Sequence, residues 1–172
     1  MKELKAYLAN QLGFSQTGRY ILDNLIIPRL TEMGIKVYNP FKEGETLIDI
    51  ELLKKLKIHE EVKKFWEEFS LKVTPQNNSL MQDSDCLFAI LDGGHTVDDG
   101  VASEIGYYAG IKKGPIFALR SDFRGGENVG TSINPQVLGY IIQSGGKIID
   151  GENALEIWFE TVKEWHDSFE KE

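Results

Sequence analysis

Asp85-Cys86-Leu87-Phe88-Ala89-Ile90-Leu91-Asp92-Gly93-Gly94-His95 decides how this chain folds. Cys86–Leu91 is a continuous apolar run with no polar alternation, as expected of a central strand buried on both faces. The loop Asp92-Gly93-Gly94-His95 ends it. A helical stretch follows from about Gly100 to Lys112, and Gly114-Pro115 leads into a second apolar run, Ile116–Leu119. Strand, helix, strand in this order is a βαβ unit, which predicts parallel pairing with helices covering the sheet.

The same alternation extends in both directions. Leu4–Ala9 reads as an opening strand. Tyr20, Ile21, Leu25, Ile26, Leu30 and Met33 recur at helical spacing up to Gly34, with Pro28 as a kink inside them. Ile35–Tyr38 reads as a strand, residues 42–46 as a polar turn, and Leu47–Phe69 as one charged helix. Pro75 is expected to end that segment before a short helix over Asn77–Asp83. Beyond the glycine-rich loop 125–130 come a helix over Pro135–Ser144, a strand at Lys147–Ile149 and a closing helix. That helix carries the stripe Leu155, Trp158, Val162, Trp165, Phe169, which reads as core packing with a subunit interface as the alternative. The expected fold is a Rossmann-like (flavodoxin-like), doubly wound α/β sheet of about five mainly parallel strands with helices on both faces. It forms a single domain over residues 1–172. Ligands of such sheets bind beyond the carboxyl ends of the strands, which directs attention to loops 10–19, 92–100 and 120–134.

Composition removes other classes. The chain has 172 residues, 41% hydrophobic and 27% charged, with 19 Lys+Arg against 27 Asp+Glu and a net charge of −8. An acidic surface argues against sequence-independent binding of nucleic acid or an anionic membrane. No apolar run approaches the roughly 20 residues that span a bilayer, and the N-terminus does not read as a secretory signal, so a cytoplasmic location is expected. One cysteine excludes an internal disulfide, and Cys86 sits within an apolar run as a buried thiol. Neither Gly-x-Gly-x-x-Gly nor a P-loop motif occurs. His59, His95 and His166 lack metal-ligand spacing. No metal or cofactor is expected.

The informative segment is Asp98-Asp99-Gly100-Val101-Ala102-Ser103-Glu104-Ile105-Gly106, at the start of the helix after the buried strand. Glu104 is expected near its first turn, where the dipole favours an anion. Gly106 and Ala109 thin the helix wall for a close approach. The pattern Asp98, Gly100, Glu104, Gly106 resembles the signature of the nucleoside 2-deoxyribosyltransferase family. Tyr7-Leu8-Ala9 with Gly13-Phe14-Ser15, the Asp85–Gly93 strand, the Gly114-Pro115 turn, Ser121-Asp122-Phe123-Arg124 and Ile133-Asn134 are similar to further family segments in the same order. Together they cover roughly residues 6–150.

The resemblance implies exchange of the base of a 2'-deoxyribonucleoside for a free purine or pyrimidine base, with retention. Glu104 would be the nucleophile, Tyr7 its hydrogen-bond partner and Asp98 the acid that binds sugar hydroxyls. Gly100 belongs to the same substrate-binding segment, and Phe14 would wall the base. Asn134 would be donated from a neighbouring subunit, so a dimer-based homo-oligomer is implied. Two departures stand out. Asn77 occupies a position where the family often has an aspartate, and an amide can hydrogen-bond a base edge but not act as an acid. Asp83, Asp49 or water would then protonate the leaving base. Pro135-Gln136 replaces the usual Leu-Met. Two rival readings remain: an N-glycoside hydrolase of nucleosides or deoxynucleoside 5'-phosphates, for which Ser15, Thr17, Gly18 and Arg19 offer phosphate contacts, and a non-catalytic nucleotide-binding domain.

Overall fold

A computed structural model describes residues 3–94, 96–122 and 133–169. His95, Arg124 and the 125–130 loop singled out above lie outside the described residues. Five strands form one sheet: β1 (Leu4–Asn10), β2 (Ile35–Tyr38), β3 (Cys86–Ile90), β4 (Ile116–Arg120) and β5 (Lys147–Asp150). Their order is β2-β1-β3-β4-β5, with every pairing parallel. This is the flavodoxin-like order, whose topological switch falls between β1 and β3. All residues of β3 and β4 are buried, as their unbroken apolar runs require.

Side-chain alternation along the strands divides the core in two. Leu4, Ala6, Leu8, Phe88 and Phe117 point to one face, where Leu22 and Ile26, just after α1 (Gln16–Ile21), pack with α2 (Ile27–Glu32) and α8 (Ala154–Phe169). Tyr7, Ala9, Leu87, Ala89 and Ala118 point to the other, covered by α5 (His59–Asp83), α6 (Asp99–Ile111) and α7 (Pro135–Gln143). The stripe on α8 is core: Trp158 and Val162 are buried, and Leu155, Trp165 and Phe169 pack against them.

Four expectations about the helical segments need correction. The first helix starts at Gln16, because Ser15 Oγ accepts Gly18 N–H at 3.0 Å and caps it. A π turn over Leu22–Ile26 joins α1 to α2 without a break, and Pro28 follows it directly at the start of α2. The predicted turn at 42–46 is mostly helix, α3 (Pro40–Glu45), which Asn39 caps and Pro40 starts. The predicted helix 47–69 breaks instead into α4 (Ile50–Leu53) and α5. No residue of α4 is buried, so no packing holds the two on one axis.

The fourth correction concerns Pro75, which does not end the segment. α5 runs through it for 25 residues. The carbonyl that loses its partner belongs to Leu71, which is 79% exposed, on the solvent side of the helix.

Candidate active site

A cleft of about 410 Å³ opens at the carboxyl ends of β1 and β3, at the topological switch. Four segments build its walls. The turn after β1 contributes Asn10, Phe14 and Arg19, and α3 with the following turn contributes Phe41, Glu45 and Ile48. From α5 come Trp66, Phe69, Val73 and Asn77, and from the start of α6 Asp98, Gly100, Val101 and Glu104. The walls are mainly aromatic and aliphatic, and the polar groups are few, as small-molecule sites tend to be.

Five of the seven residues singled out from the sequence line this cleft: Phe14, Asn77, Asp98, Gly100 and Glu104. Tyr7 lies beneath it, fully buried in β1, and donates its hydroxyl to Glu104 Oε1 at 2.5 Å. This bond spans 97 positions in sequence, and the parallel register that sets Tyr7 opposite Leu87 brings its two ends together. Asn134 does not line the cleft. It caps α7, where its side chain accepts Gln136 N–H at 2.9 Å.

The electrostatics of Glu104 differ from the sequence expectation. The residue lies in the second turn of α6, past the reach of the helix dipole; Asp99 occupies the first turn. Burial instead penalises its anion and pushes the carboxyl up to about 7; the Tyr7 hydrogen bond pulls it back down, and the Asp98 charge adds a further push up. Burial, together with the Glu104 charge, raises the Tyr7 phenol far above its ordinary value, so it is a permanent donor.

Asp98 has a structural task. Its Oδ2 accepts the N–H groups of Gly100 at 2.9 Å and Val101 at 3.1 Å, capping α6. Oδ1 takes no part in that cap. Asp99 is exposed. Gly106 faces Tyr140 of α7, where a Cβ would meet the ring at 3.6 Å, an ordinary van der Waals contact, so the thin wall lies toward α7.

Phe14 is 77% exposed at the mouth and meets Phe41 edge-to-face at 4.8 Å. Asn77 Oδ1 is buried and has no hydrogen-bond partner. Neither substitute acid suggested above reaches the cleft. Asp83 pairs with Lys5 and accepts from Tyr38, and Asp49 caps α4. Of the phosphate-loop residues only Arg19 lines the cleft, its Nε fixed on the Gly13 carbonyl at 2.6 Å.

Cys86 is buried and its thiol is pushed up by burial, as expected of an inert core cysteine. His59 is exposed and His166 is buried on α8. Among the described residues no cluster of metal-ligating side chains occurs, and no helix is long and apolar enough to cross a membrane.

The sequence reading missed Phe41, Glu45, Ile48, Trp66, Phe69 and Val73 as cleft residues. They sit on segments with no motif, and α5 reaches the cleft only because it continues through Pro75. The one signal available was the spacing Trp66, Phe69, Val73, Asn77, which marks a single helical face once the helix is known to be continuous.

Against known proteins, the chain matches the family model described as Nucleoside 2-deoxyribosyltransferase over residues 6–148. Among solved structures it is similar to a 2-deoxyribosyltransferase from the psychrotolerant bacterium Bacillus psychrosaccharolyticus. The identity is 16%, with 90% of each chain covered and a TM-score of 0.59. A 2-deoxyribosyltransferase from Leishmania mexicana is 17% identical, covers 91% of this chain and 97% of its own, and gives a TM-score of 0.55. The Clostridium botulinum CMP N-glycosidase BcmB is 18% identical, covers 91% and 97%, and gives 0.49. At these identities the likeness is one of fold. No protein of curated function matches the sequence.

Proposed function

The chain belongs to the nucleoside 2-deoxyribosyltransferase family, and on that premise we propose that it exchanges the base of a 2'-deoxyribonucleoside through a covalent deoxyribosyl ester on Glu104. The observation that carries this reading is the Tyr7–Glu104 pair on the floor of the cleft. A carboxylate held by one fixed donor at an apolar switch-point cleft has the position and the weak solvation of a nucleophile.

In the first half-reaction a Glu104 oxygen attacks the anomeric carbon as its bond to the base nitrogen breaks, and the base leaves with a proton. In the second, the incoming base attacks the same carbon from the opposite side, releases its own proton and returns Glu104 to the carboxylate. Two inversions give retention. Tyr7 fixes the attacking carboxylate, and Phe14 with Phe41 offers an aromatic wall for the base. Asp98 keeps Oδ1 for a sugar hydroxyl while Oδ2 caps α6. Asn134 completes the site of a second copy in a homodimer; its absence from the cleft of its own chain supports this.

Hydrolysis is the second reading. Phe14 is largely exposed at the mouth, so water has a route to the ester unless the acceptor base fills the cleft. Chromatography of all products separates the two. The protein is incubated with 2'-deoxyinosine or thymidine, with and without adenine. Transfer predicts 2'-deoxyadenosine only when adenine is present, with little free deoxyribose. Free sugar in equal amounts with or without adenine would replace the transferase reading by the hydrolase. No product from either substrate would remove both for nucleosides, and the same assay on deoxynucleoside 5'-phosphates then decides whether the chain hydrolyses nucleotides.

A further inference from the structure

Each half-reaction moves a proton, onto the leaving base in the first and off the incoming base in the second. We propose that Glu45 is the group that gives and takes it, a catalytic acid–base residue of the cleft; the inference rests on the reading of function above.

Glu45 emerges by elimination. Among the described residues lining the cleft, the carboxylates are Glu45, Asp98 and Glu104. Glu104 must be an anion to attack, and Asp98 caps α6 through Oδ2 while its Oδ1 is assigned above to a sugar hydroxyl. Asn77 is an amide and cannot serve as an acid. Arg19 holds its proton at every working pH.

The placement of α3 supports the assignment. Gln76 Nε2 donates to the Glu43 carbonyl at 2.9 Å, and a Cβ on Gly44 would lie 3.8 Å from Val73 Cγ2. The end of α3 is thus docked on α5 at residues 73–76. Asn77 is one helical turn beyond Val73 on the same face. Glu45, the next residue after Gly44, is exposed and lines the cleft, whose wall also includes Phe41, Ile48, Phe69 and Asn77.

In the forward step the C1'–N bond breaks, its electron pair stays on the base nitrogen, and that nitrogen takes the Glu45 proton while Glu104 forms the C1'–O bond. In the return step the Glu45 carboxylate takes the proton of the incoming base as its nitrogen bonds to C1'. The cycle leaves both carboxylates unchanged.

The test uses leaving groups. Glu45→Gln is compared with the parent on 2'-deoxyinosine and thymidine, and on 7-methyl-2'-deoxyinosine and 5-nitro-2'-deoxyuridine, whose bases depart without acid help. Expected is a fall in kcat of about 100-fold or more on the unmodified substrates. On the modified ones the loss is expected to stay within about three-fold, and the alkaline limb of the pH–rate profile disappears on the unmodified ones. An equal loss on both classes, or no loss on either, would overturn the role of Glu45 while leaving the function intact. A parent inactive on all four substrates would overturn the function, and Glu45 with it.

Discussion

At the scale of single residues, Glu104 carries a conflict between stability and activity. Its folded carboxyl lies at about 7, above the ordinary value of 4.5, because burial disfavours the charge. A raised value means that the folded chain binds the proton more tightly than the unfolded one. The stabilising contribution is complete below about pH 4.5 and is lost as pH rises through 7. Glu104→Gln removes the buried charge. It is expected to unfold at higher urea concentration than the parent at pH 8, by on the order of 1–3 kcal/mol, with the difference vanishing toward pH 4. The same variant should lose turnover by several orders of magnitude. Equal stability of the two proteins at pH 8 would mean that Glu104 is not desolvated.

Its neighbours tune it in opposite directions. The Tyr7 hydrogen bond lowers the Glu104 carboxyl and the Asp98 charge raises it. Tyr7→Phe should therefore move the acidic limb of the kcat/KM profile to higher pH, and Asp98→Asn to lower pH. Asn retains an oxygen acceptor for the α6 cap, whereas Asp98→Ala also gives up the cap, at about 1 kcal/mol of stability. Limbs that stay where they are in both variants would detach Tyr7 and Asp98 from the nucleophile.

At the scale of elements, α5 decides the site. Its first half brings Trp66, Phe69 and Val73 to the cleft only because the helix does not stop at Pro75. A proline inside a helix costs up to about 3 kcal/mol relative to alanine. Pro75→Ala should therefore raise the midpoint of thermal unfolding; a lowered midpoint would mean that the ring makes contacts the helix needs. On the opposite face α8 is anchored by Trp158, fully buried, whose Nε1 donates to the Phe117 carbonyl at 3.2 Å. Trp158→Ala is expected to cost about 3–5 kcal/mol.

At the scale of the whole molecule, the site is proposed to be complete only in a pair of chains. Glu104→Ala and Asn134→Asp should each be inactive alone. Asp keeps an oxygen to cap α7, so the second variant stays folded. Mixed and allowed to exchange subunits, the two are expected to recover activity, because a mixed dimer holds one site with both intact residues, about a quarter of all sites at equal amounts. No recovery despite confirmed exchange would mean that each chain carries its own complete site.

The sequence by itself determined the sheet. Buried parallel strands have no solvent face, so Cys86–Leu91 and Ile116–Leu119 had to read as unbroken apolar runs. It also determined the place of the signature, since a short polar segment between a buried strand and a helix can only lie at a strand's carboxyl end. The tertiary structure decided what surrounds that place. Phe41, Glu45, Trp66, Phe69 and Val73 converge from separate elements whose local patterns describe surface helices. That α5 passes Pro75, with Leu71 exposed one turn before it, is not visible in any residue pattern. It likewise decided the state of Glu104. Local position suggested an anion favoured by a helix dipole, but burial beneath four converging segments works against the anion, and desolvation is a property of the assembled walls.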